Sequence, residues 1–187
     1  IVTDEMKNQD LPYIENIIDD NTLKYKLSFD MQGKNMLFDV ERTIKNVNTS
    51  ISVTDFSASD MGTMKDESTV SYRTFSPITR KVEQGPLTIN LSFSDNDTIS
   101  GEVTMQDQTQ SVNMKIEESY VMDGPSLDIY LTNLKLSDSF SSILRIFDTT
   151  NQLLQTYSFK VIGSETIDAY NCYRCELQSL DGPDKSQ

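Results

Sequence analysis

The sequence predicts an all-β fold: a strongly curved antiparallel sheet forming an open barrel, accompanied by one or two short helices. Three observations carry this. Apolar and polar residues alternate at period two along most of the chain, which turns one face of each strand to a core and the other to water. Turn-forming clusters recur at roughly 8–13 residues, the rhythm of an antiparallel sheet and not of βαβ units. Only two short stretches carry apolar residues at helical spacing.

Residues 1–21 form an N-terminal segment in which Tyr13, Ile14, Ile17 and Ile18 fall on one side of a short helix over 12–18. Ile1-Val2-Thr3-Asp4 reads as an internal start, so a removed upstream segment is expected. Residues 22–187 form a single β domain. Leu23, Tyr25, Leu27 and Phe29 alternate with Lys24, Lys26 and Ser28, and Gln32-Gly33-Lys34-Asn35 returns the chain along Met36, Phe38 and Val40. Ile51 and Val53 mark the next strand, then Val70 and Tyr72, ended by Ser76-Pro77. After Gly85-Pro86 come Leu87, Ile89, Leu91 and Phe93, a turn at Asp95-Asn96-Asp97, then Ile99, Val103 and Met105. A polar turn near Asp107 leads to Val112, Met114 and Ile116. The stretch 126–134 departs from period two: Leu127, Tyr130, Leu131 and Leu134 share a helical face, and Asp123-Gly124-Pro125-Ser126 supplies a turn and a cap. Strands resume at 143–147, at Tyr157, Phe159 and Val161, and at Tyr173, Cys175 and Leu177. The count is about nine to eleven strands in one sheet.

Composition removes whole classes of function. Asp and Glu outnumber Lys and Arg by 29 to 16, a net charge of −13, so no nucleic acid is expected as a partner, since phosphate neutralisation needs clustered cations. No apolar run approaches the length of a membrane span. The chain has no His, which eliminates His-based triads and His-containing metal sites. Cys172 and Cys175 are the only cysteines. They cannot close a tetrahedral site alone, and three residues apart on a strand they point to opposite faces and stay unbridged. Cys175 is assigned to the core with Tyr173 and Leu177. Asp95-Asn96-Asp97 and Asp19-Asp20-Asn21 lack the loop pattern of a calcium site. Asp66 and Glu67, beside Lys65, read as solvated turn charges. No enzyme, metal or cofactor is expected.

The order of motifs after Ser68 carries a resemblance. Arg73, Thr74, Pro77, Thr79 and Arg80 form an R-T-x-x-P-x-T-R corner. Gly85-Pro86-Leu87-Thr88-Ile89 and Ile99-Ser100-Gly101-Glu102-Val103 fit the paired strands after it. Leu134-Lys135-Leu136 stands at an "L-P-L" segment, with Lys in place of Pro, and Tyr157 to Glu165 fits a y-x-x-x-V-x-G-x-E ending. Together they resemble bacterial secreted or lipoprotein domains of unknown function, similar in shape to the lipoprotein-carrier (LolA/LolB-like) half-barrel. The resemblance implies a helix in or across the sheet's mouth, and a periplasmic, outer-membrane-associated or secreted home with a removed N-terminal lipid anchor. It also implies a closing strand past Asp181-Gly182, which is absent or lies outside this sequence, and with it a C-terminal sheet edge open to a protein partner.

Two non-catalytic functions remain open, and a third reading, an enzyme using a carboxylate pair, would need a buried, mutually close Asp/Glu pair in a cleft. One is a non-catalytic binding module holding a lipid or other apolar or amphiphilic ligand on the concave face, beneath the 126–134 helix. The residues expected to line it are Leu27, Phe29, Phe38, Leu91, Phe93, Met105, Met114 and Leu131. The other is a structural or protein-interaction domain of the cell envelope with a filled core and an open edge.

Overall fold

A computed structural model describes residues 11–12, 18–31, 34–59, 62–94 and 97–181. Eight strands run as an uninterrupted antiparallel meander: β1 (Asn21–Met31), β2 (Lys34–Val47), β3 (Ser50–Ser59), β4 (Gly62–Ser71), β5 (Pro77–Gln84), β6 (Leu87–Phe93), β7 (Thr98–Met105) and β8 (Gln108–Lys115). The chain then leaves this sheet. A two-residue strand β9 (Val121–Met122), the helix α1 (Pro125–Asn133) and strands β10 (Ser141–Asp148), β11 (Leu153–Ile167) and β12 (Tyr170–Ser179) follow. The last four strands form a second sheet in the order β12-β11-β10-β9.

The all-β class and the open half-barrel hold, with the helix one residue from its expected bounds. Two expectations change. There are two sheets, and twelve strands among the described residues. Strand β5 has no apolar alternation to announce it, because its inward residues are Arg80, Val82 and Gln84. Strand β9 pairs in parallel with β10, a link that a meander reading has no means to anticipate, since α1 lies between them. The helix over 12–18 falls largely outside the described residues.

Tight connections keep the meander in register. The two-residue turn Gln106–Asp107 has both residues at positive φ, the geometry that matches the right-handed twist of flanking strands. Inside the curve, apolar side chains of both sheets and α1 merge into one core that includes Ile51, Val70, Leu91, Ile99, Leu144 and Phe147. Aromatic rings join the layers: Phe93 packs edge-on to Phe147 at 6.0 Å, and Phe75 lies 5.5 Å from Tyr130 of α1. Each such ring or branched side chain, fully buried, contributes about 1.5–3 kcal/mol. From the N-terminal segment Ile18 joins the core, and the Tyr130 hydroxyl donates to the Pro12 carbonyl.

Candidate functional site

Strand registers sort the concave face into rows, because directly paired residues share a face. The innermost row reads Ile44, Val53, Ser68, Arg80, Leu91, Gly101 and Val112 from β2 to β8. Its members other than Gly101 are buried. Helix α1 packs over this part of the face, against β3 and β4.

One row outward stand Arg42, Asp55, Asp66, Val82, Ile89 and Val103. Charge here is buried, not solvated. The Arg42 guanidinium grips Asp55 with two bonds, Nε to Oδ1 at 2.7 Å and Nη2 to Oδ2 at 2.6 Å, and reaches Asp128 of α1 at 2.9 Å. Arg80, from the row below, donates to Asp66 Oδ2 at 2.8 Å, to Ser68 Oγ at 2.6 Å and to the Asp123 carbonyl at 2.8 Å. The expectation that Asp66 is a solvated turn charge is therefore wrong. It lies mid-strand in β4, 8% exposed. Its Oδ1 and Arg80 Nε have no hydrogen-bond partner among the described residues. Burial, then the charges of Asp123 and Asp55 acting against Arg80, push the Asp66 carboxyl up to about 6. Gly124 makes room for this belt: a Cβ there would overlap the Arg80 guanidinium, and its φ of 78° disfavours a side chain in any case.

The next row outward is Val40, Ser57, Met64, Gln84, Leu87 and Met105. All six line a single open cavity of about 810 Å³. Leu27 and Phe38, a cross-strand pair on β1 and β2, add apolar wall, while Asp55, Ser57, Ser59, Thr63 and Gln84 supply oxygen and amide groups. The concave face is thus filled under α1 and open at its other end, with the ionic belt between the two.

The expected lining residues divide along that boundary. Leu27, Phe38 and Met105 come together in the cavity wall. Leu91 and Phe93 are buried in the core, and Met114 and Leu131 pack against it. The side chain of Phe29 lies outside the described residues. No α1 residue lines the cavity, so the space is beside the helix, not beneath it. Sequence reasoning missed Val40, Met64 and Leu87 as lining and missed the belt entirely. A signal for the belt existed: Arg42, Asp55 and Asp66 occupy the apolar phase of strands otherwise carrying Val40, Ile44, Val53 and Val70 inward.

Strand β12 differs from expectation as well. Cys172 and Cys175 are both unbridged, and Cys175 packs against the core. Tyr173 and Leu177, assigned to the core from the alternation, are 43% and 40% exposed. A β-bulge between Val161 and Gly163 and the edge position of β12 leave that face only partly covered.

An antiparallel half-barrel with a buried ionic belt and an open apolar cavity defines a β-rich module. Residues 18–185 match the family described as a protein of unknown function (DUF3108). The chain belongs to that family. No curated protein and no solved structure matches it. Among the described residues, no helix is long and apolar enough to cross a membrane.

Proposed function

We propose that this domain is a non-catalytic extracytoplasmic binding module that holds an apolar or amphiphilic ligand in the open end of its concave sheet. The observation that carries the reading is the cavity of about 810 Å³, walled by Leu27, Phe38, Val40, Met64, Leu87 and Met105. Its size and lining suit a small ligand: pockets of this kind run to roughly 300–1,000 Å³, mostly apolar with a few placed polar groups. Leu27 and Met105 keep 37% and 46% of their surface in water, a standing cost that an apolar occupant would relieve at about 25 cal/mol per Å² covered.

A hydrophobic fluorescent probe, N-phenyl-1-naphthylamine, tests this. The expected result is saturable binding to the native protein and loss of binding in the double variant Leu27→Asp/Met105→Asp, at an unchanged melting temperature, since both positions are partly exposed. Equal probe binding by the variant and the native protein would reject the cavity.

A second reading, a protein-interaction domain, draws on β12. Among the described residues its outer edge pairs with no strand, and Ile162, Ile167, Tyr170 and Tyr173 leave an apolar surface on the β11–β12 hairpin. An extended segment of another protein could add to such an edge.

A further inference from the structure

Resting on that cavity reading, we propose that the preferred occupant is a single-chain amphiphile with a positively charged head. An ammonium sits at Asp55, and the chain lies over Leu27, Phe38, Met64, Leu87 and Met105. Three independent features support this. Among the described residues, Asp55 is the one ionisable residue in the cavity wall, and no Lys or Arg lines it. An anionic head would therefore meet a carboxylate whose counter-charge, Arg42, is already engaged by it. Each Asp55 oxygen takes one bond from Arg42 and retains accepting capacity for an N–H donor.

The charge balance behind the wall points the same way. Two guanidiniums, Arg42 and Arg80, face four carboxylates, Asp55, Asp66, Asp123 and Asp128, within the belt. The excess of two lies with Asp128 and Asp123, whose side chains are 63% and 31% exposed, so the belt carries a net negative charge that solvent partly screens.

The third feature is an unsatisfied atom. Asp66 stands opposite Asp55 on the same face, its Oδ1 is buried without a hydrogen-bond partner among the described residues, and the residue is 8% exposed. Natural interiors leave few such acceptors. A cation at Asp55 would add positive charge on the strand beside Asp66, whose other oxygen Arg80 already pairs. The overall charge of −13 adds long-range attraction for cations.

Competition against N-phenyl-1-naphthylamine, below micellar concentrations at pH 7.5 and low salt, separates this claim from the one beneath it. Dodecylammonium, dodecyl maltoside and dodecanoate share a chain and differ in head. Dodecylammonium should displace the probe at roughly ten-fold lower concentration than dodecanoate, a difference of about 1.4 kcal/mol, with the maltoside between. The variant Gln84→Lys, at an exposed wall position, should fold normally and reverse the order of the two charged competitors. Asp55→Asn should abolish the preference if it folds, and Gln84→Lys decides the matter if it does not. Equal displacement by all three heads, or tighter dodecanoate binding to the native protein, would overturn head selection while leaving the cavity standing. Absence of probe binding altogether would remove both.

Discussion

Arg80 and its neighbours show how much one backbone position can decide. The guanidinium passes so close to Gly124 that no side chain fits. Gly124→Ala must displace either Arg80, which would leave Asp66 as a buried unpaired charge, or the turn that starts α1. We expect it to destabilise the fold by about 3–5 kcal/mol, the cost of breaking a buried pair, read as a large drop in the urea midpoint. A loss below about 1 kcal/mol would show that the belt relaxes freely. Asp66 gives a pH test. Its carboxyl rises to about 6 in the folded chain against about 3.9 unfolded. Between those values the folded state binds more protons, so this group's contribution to stability is full below about pH 4, declines towards pH 6 and is flat above. Arg80 and Arg42 oppose the shift, and Asp123 and Asp55 promote it. Unfolding free energies of Asp66→Asn and the native protein should therefore converge at low pH and diverge in the variant's favour between pH 4 and 7, by up to about 3 kcal/mol. Parallel curves would contradict it. The sequence carried the phase of Arg42, Asp55 and Asp66 but not the pairing of this network. Period-two reading treats a charge as facing water, and only the long-range pairing of four strands with α1 supplies its partners.

Strands and turns were more readable than their partners in space. Strands β6, β7 and β8 announce themselves because their inward phase is apolar, as in Leu87, Ile89, Leu91 and Phe93. Strand β5 does not, because Arg80 and Gln84 take two of its inward positions. Helix α1 was visible from Leu127, Tyr130, Leu131 and Leu134, yet its start depends on Gly124 as the cap and Pro125 in the first turn, with no side-chain cap bond. Proline is suited to that place because its missing N–H would be unsatisfied there anyway. For β12 the alternation located the strand but not its cover. Cys172 pairs across from Glu165 and Cys175 from Val161, and burial pushes the Cys175 thiol up. Thiol titration should find two reactive groups per unreduced chain, with Cys172 labelled faster than Cys175 at pH 7.5. Finding no free thiol in the denatured, unreduced monomer would mean that β12 is bent and the register wrong.

At the scale of the whole molecule, one curved sheet is used twice. Its half under α1 and the second sheet is packed with buried side chains such as Ile51, Val53, Leu91 and Phe147, while its other half keeps an apolar wall around the cavity. The sequence shows which apolar residues of the first sheet face inward but not where filling stops, because that boundary depends on how far α1 and β10 reach across the sheet. The methionines report on both halves at once. Met64 and Met105 line the cavity, whereas Met122 is buried and Met114 packs against the core. The most direct measurement is a methyl NMR titration of protein labelled with ¹³C at the methionine methyl groups, using dodecylammonium. The account predicts progressive shifts at Met64 and Met105, with Met114 and Met122 unmoved. Shifts confined to Met114 and Met122, or none at saturating amphiphile, would contradict it.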